Sequence, residues 1–220
     1  MTESLRFQVD GALLEGDLTL PDGAQGLVVF AHGSGSSRHS TRNKAVARPL
    51  QDRGLATLLF DLLHAEEERE DARTGRFRFD IALLTGRLIH VIDQVSTCDR
   101  TRGLSLGLFG ASTGAAVALL AAARRPDLVS AVVSRGGRPD LAGEEARQVR
   151  APTLLIVGGR DEHVLELNQE AARRLVAPHE VRVVPGATHL FEEAGALDQV
   201  ADWAGEWFIG HGSGTRAAAG

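Results

Sequence analysis

The sequence has 220 residues, 43% hydrophobic and 24% charged, which supports one globular domain with a substantial core and excludes a wholly disordered chain. A formal charge of −5 and a pI of about 5.9 carry no electrostatic footprint of a nucleic-acid binder. The single cysteine, Cys98, excludes an intrachain disulfide and a cysteine-rich metal site.

Leu5 to Val9 and Leu13 to Leu20 read as two strands joined through Asp10-Gly11, an opening hairpin. Gly26 to Ala31 is a continuous apolar run, so a strand covered on both faces. After a Gly/Ser loop, Arg42 to Arg53 has helical spacing, with Pro49 predicting a kink or a shortening. Leu55 to Phe60 is the next buried strand. Glu66 to Asp71 reads as solvated loop or helix start, and Phe79 to Val95 as a long amphipathic helix. From Leu104 strands and helices alternate: strands over Leu104–Phe109, Val129–Ser134, Thr153–Val157 and Val181–Val184, helices over Ala115–Ala123, Val164–Leu175 and Leu197–Phe208. The expected fold is α/β: a mainly parallel twisted sheet of about eight strands, helices on both faces, and no cap domain. The domain is expected over residues 1–210, with a flexible tail over 211–220.

Functional side chains in such sheets gather beyond the strand C-termini. Gly110-Ala111-Ser112-Thr113-Gly114 places a serine between an apolar strand and an alanine-rich helix. That context is the one a nucleophile elbow needs: small residues two places to either side let strand and helix close around a strained turn. Thr153 to Val157 runs into Gly158-Gly159-Arg160-Asp161, and Val181 to Val184 runs into Pro185-Gly186-Ala187-Thr188-His189. The order is Ser112, Asp161, His189. A serine hydroxyl needs a base to become a nucleophile, and that base needs a carboxylate to fix its tautomer.

This arrangement resembles the α/β-hydrolase superfamily, and the compact chain resembles its dienelactone-hydrolase-like branch, from the opening hairpin to the last helix. The motifs that carry the resemblance are His32-Gly33-Ser34-Gly35, Gly110 to Gly114, Gly158 to Val164 and Gly186 to Phe191. It implies an oxyanion hole built from the backbone amides of Thr113 and Ser34. His211-Gly212-Ser213-Gly214 repeats the first tetrapeptide with no strand before it, so position alone gives the motif meaning. One departure stands out: authentic dienelactone hydrolases use a cysteine nucleophile, so their substrate does not transfer to an elbow carrying Ser112.

Asp140 is the competing acid, from the loop after the preceding strand, and Asp161 fits the pattern better. His90, His163 and His179 read as structural or surface residues and Cys98 as a bystander. Only Arg135 to Arg150 separates the Ser134 strand from Ala151-Pro152, which leaves no room for a cap and favours small or accessible esters. Arg135 and Arg38 are the candidates for a substrate carboxylate, each with an ordinary ion pair as the alternative. Phe77, Phe79 and Phe191 read as core before cleft lining, and Glu66-Glu67-Glu68 as solvated before metal-binding.

The expectation is a cofactor-free and metal-free serine hydrolase of a small carboxylic ester, lactone or thioester, working through an acyl-enzyme on Ser112. The alternatives are a C–C hydrolase or perhydrolase with the same triad, or a non-catalytic small-molecule receptor on a hydrolase scaffold. Neither a nucleic-acid nor a membrane partner is expected. Without a signal-peptide core at Met1 to Arg6, and with Ala115 to Ala123 too short to span a bilayer, the expected location is cytoplasmic.

Overall fold

The computed structural model describes residues 2–9 and 11–212. Eight strands form one sheet: β1 (Thr2–Val9), β2 (Ala12–Thr19), β3 (Gly26–Ala31), β4 (Leu55–Phe60), β5 (Ser105–Ala111), β6 (Val129–Arg135), β7 (Thr153–Gly158) and β8 (His179–Val184). Their spatial order is β1-β2-β4-β3-β5-β6-β7-β8. The β1–β2 and β2–β4 pairs are antiparallel, and every pair from β4–β3 to β7–β8 is parallel. Around the sheet lie α1 (Thr41–Asp52), α2 (Ala65–Thr74), α3 (Ile81–Thr97), α4 (Thr113–Arg124), α5 (Glu162–Ala172) and α6 (Ala196–His211), with a 3₁₀ segment over Pro139–Gln148. The expected tail beyond Gly212 lies outside the described residues. No described helix is long and apolar enough to cross a membrane.

Side-chain alternation explains why the central strands are apolar throughout. Leu27, Val29 and Ala31 of β3 face one core with α3 and α4, while Val28 and Phe30 face the other with α1 and α6. The same split separates Leu58 from Leu59 and Leu108 from Phe109. β2, near the edge, instead alternates buried and exposed along its length. Helix α4 is buried from Thr113 to Ala123. Its alanines are good helix formers, and their small side chains admit neighbours on every side.

Three elements differ from the sequence expectation. The acidic stretch is a full helix, α2, started by a capping box of His64 and Glu67 and ended by Gly75 in the left-handed region. α1 continues past Pro49 to Asp52, because a proline near the last turn forfeits few hydrogen bonds. The 3₁₀ segment carries no regular periodicity, being interrupted at Gly143 with φ 57°.

β3 runs between β4 and β5, so the chain switches direction of travel across the sheet at its C-terminal end. Ala31 is in register with Gly110, and Ala111 with Arg135. The loops carrying Gly33, Ser112 and Gly136 therefore open side by side at a topological switch point, where α/β sheets bind ligands.

Candidate active site

Ser112 has φ 51° and ψ −121°, a combination that costs a non-glycine residue about 1–3 kcal/mol. The flanking glycines make the turn possible. A Cβ on Gly110 would sit 2.5 Å from Ala115 Cα, and one on Gly114 would sit 2.2 Å from the Ala31 carbonyl oxygen. Ser112 is also the N-cap of α4, yet its side chain makes no capping hydrogen bond. A serine at this position ordinarily bonds an amide of the first turn; here the hydroxyl is left for other work.

His189 Nδ1 lies 2.7 Å from Asp161 Oδ2. The carboxylate is 16% exposed and the imidazole 39%, so one ring edge is anchored and the other open. His189 and Ser112 line one cavity of about 250 Å³ with Gly33, Ser34, Arg42 and Arg135. No direct hydrogen bond joins Ser112 Oγ to His189 among the described residues. Asp140 does not compete: Arg138 holds both its oxygens, at 2.8 and 2.7 Å. His90, His163 and His179 are exposed.

The loop after β3 is pinned by a contact the sequence did not reveal. His32 is 7% exposed. Its Nε2 accepts from the Leu62 amide at 3.0 Å, so Nδ1 carries the proton and donates to the Gly33 carbonyl at 2.9 Å. Burial lowers the His32 pKa, against the Gly33 bond and the Asp61 charge, which raise it. A trans peptide directs its N–H opposite its C=O. With the Gly33 carbonyl turned to His32, the Ser34 amide points away and donates to Thr113 Oγ1 at 2.9 Å. The two backbone positions expected to form the oxyanion hole are thus tied to each other. Thr113, as the first helical residue, has an amide with no acceptor inside α4.

Of the arginines proposed from sequence, only Arg135 is in the cavity. Arg38 is bound to Asp61, to Glu15 at 2.7 Å and to Asp17 at 3.7 Å. Three carboxylates on β2 and the β4 end hold it, so the structure does not bring it to Ser112. Phe191 is fully buried at φ 56° beneath Arg135, Phe79 is exposed, and Phe77 is partly buried on the core. Within the acidic stretch Glu67 is bound by Arg87 at 2.6 Å. Sequence reasoning missed Arg42 and Asn43; their only signal was a place in the first turn of the helix after the Gly/Ser loop.

A mostly parallel sheet with a strained turn at Ser112 between β5 and α4 defines an α/β-hydrolase fold. Residues 14–206 match the Dienelactone hydrolase family, and the chain belongs to that family. It is 52% identical to a dienelactone hydrolase of Anabaena variabilis of known structure, with a TM-score of 0.94 over 96% of this chain and 98% of that one. Est1E of Butyrivibrio proteoclasticus shares the fold, with a TM-score of 0.78 and 18% identity over 94% of this chain and 98% of Est1E. A Mycobacterium tuberculosis protein whose name proposes a phosphoribosyl transferase is 59% identical over 196 residues, 89% of this chain but 43% of that relative. The chain spans less than half the length of that relative.

Proposed function

We propose that the chain is a serine hydrolase of small carboxylic esters, lactones or thioesters, acting through an acyl-enzyme on Ser112. The observation that carries the reading is the anchored imidazole. Asp161 fixes His189 by one nitrogen, and the imidazole lines a cavity shared with a strained, uncapped serine. His189 takes the Ser112 proton as Oγ attacks the carbonyl, and returns it to the leaving group. Water then enters and His189 activates it to release the acid.

The amides of Thr113 and Ser34 receive the charge that develops on the carbonyl oxygen. Thr113 N–H is free within the helix, whereas Ser34 N–H must share or leave its bond to Thr113 Oγ1. Such donors, aimed in advance at a developing charge in a site that excludes water, each contribute about 3–4 kcal/mol to the rate. The small cavity favours short acyl or alcohol groups, and Arg135 is its candidate for binding a charged one. The activity in the mycobacterial relative's name belongs, in this reading, to the part of that protein beyond the matched segment.

The test is kinetic. Ser112→Ala and His189→Ala should each lower kcat for an activated ester by about 10³-fold or more. The double variant should be scarcely worse than either single one, since the pair acts as a unit. Additive losses, or turnover by Ser112→Ala near that of the parent, would discard the assignment.

A further inference from the structure

The cavity beside Ser112 holds a cation that no carboxylate among the described residues answers. Arg135 is 8% exposed, and its Nε and Nη1 are buried without a hydrogen-bond partner. Its Nη2 reaches only Asn43 Oδ1, at 3.5 Å. The Phe191 ring lies 5.9 Å from the guanidinium carbon and supplies a face but no acceptor. The charged neighbour that acts on it is another cation: burial first, then Arg42, push the Arg135 pKa down to about 10. A buried cation beside a second cation is costly unless an anion joins them.

The rest of the cavity points to the kind of anion. Arg42 lines it with a buried Nε that also has no partner, and its carboxylate contact, Glu192, is 3.6 Å away and 67% exposed. Ser40, Arg42 and Asn43 are the N-cap and first turn of the twelve-residue helix α1, so the positive end of its dipole opens here. Ser40 Oγ accepts from the Asn43 amide at 3.3 Å, which leaves its O–H to donate into the cavity, and Ser36 adds a second hydroxyl to the lining. A carboxylate would neutralise one guanidinium. A phosphomonoester brings a charge of about −1.5 to −2 and three acceptor oxygens, which suits two guanidinia, a helix N-terminus and two hydroxyls.

We propose that the cavity binds a phosphate-type dianion carried on the substrate, so that the ester, lactone or thioester cleaved at Ser112 is a short phosphorylated one. This rests on the hydrolase reading given above. Arg135, Arg42 and Ser112 line the same cavity of about 250 Å³, which sets the phosphate a few bonds from the reacting carbonyl.

Two measurements test it. The first is thermal unfolding of the full chain in inorganic phosphate against chloride and acetate at equal ionic strength. Phosphate should raise Tm over both, and the rise should vanish in Arg135→Gln and in Arg42→Gln. The second replacement, on a less buried side chain, serves if the first does not fold. Equal stabilisation by acetate, or a rise that survives both substitutions, overturns the proposal.

The second compares para-nitrophenyl esters of one chain length ending in phosphate, carboxylate or a methyl group. kcat/KM for the phosphate ester should exceed that for the carboxylate by at least about tenfold, the low end for a hydrogen bond to a charged group. Arg135→Gln should collapse that ratio. Equal rates for the phosphate and carboxylate esters, with Ser112 reactive, reject the phosphate site and leave the hydrolase standing. Phosphate stabilisation lost in both variants, with no ester turned over and Ser112 inert, does the reverse.

Discussion

Arg38, in the loop between β3 and α1, and Arg135, at the end of β6, teach opposite lessons. Arg38 is met by Asp61, Glu15 and Asp17, and Arg78 and Arg87 close by are likewise met by Asp71 and Glu67. In that region burial raises the Asp71 carboxyl, and the amides of Arg78 and Phe77 together with the Arg78 guanidinium outweigh it, holding the group below its usual range. Arg135 is more deeply buried than Arg38, and no carboxylate pairs with it among the described residues. Two residues there, Ser112 and Phe191, hold positive φ. Where every charge is answered, the arrangement serves the fold. Where charge and backbone strain go unanswered, the proposed site gives them a use.

Two carboxylates extend the contrast and give the largest expected effect. Asp161→Asn keeps the shape of the site but removes the charge that supports the His189 cation, so kcat should fall about 10³- to 10⁴-fold. Asp140, already closed onto Arg138, should tolerate Asn with kcat within about twofold. Comparable losses in the two variants, read by steady-state kinetics, would erase the distinction.

Stability should then separate the two arginines by sign. Arg38→Met leaves the 10%-exposed Asp61 side chain without its main partner and should cost about 3 kcal/mol in urea unfolding. Arg135→Met replaces an unanswered buried cation by an apolar chain of similar length and should be neutral or stabilising by about 1 kcal/mol. A clear loss of stability in Arg135→Met would mean that its charge is answered after all.

The smallest effect concerns His32, which pins the loop after β3. Its pKa is lowered in the folded state, so the unfolded chain takes up its proton first on acidification. Its contribution is complete above the unfolded value of 6.5 and is lost as pH falls through the lower folded value. One such proton limits the slope to about 1.4 kcal/mol per pH unit. His32→Gln should flatten the urea midpoint between neutral pH and pH 5 relative to the parent. An unchanged profile would mean that His32 is not held neutral by burial.

The alternation of strands and helices was legible because apolar runs of β3 to β7 length, broken by glycine, have few other uses. The positions of Ser112, Asp161 and His189 could be read because each follows the C-terminal end of a strand, and the structure brings Asp161 and His189 into contact. Three features could not. α2 is so polar that its helical period is hidden, and its capping box, with His64 in place of Ser or Thr, is uncommon. The 3₁₀ segment owes its shape to the turn at Gly143 and to packing against α4. Pairing is a property of space: nothing local in the sequence says that Arg38 meets Asp61 from 23 residues away while Arg135 meets no carboxylate among the described residues. The same holds for His32, whose partner Leu62 comes from the next strand end.

Covalent labelling by a fluorophosphonate, read by intact-protein mass, tests most directly whether Ser112 is the activated nucleophile. The parent should gain the mass of one phosphonyl group, located on Ser112 by peptide mapping. Ser112→Ala should gain none, and His189→Ala should react far more slowly. An unlabelled parent, or an adduct that persists in Ser112→Ala, would contradict the account.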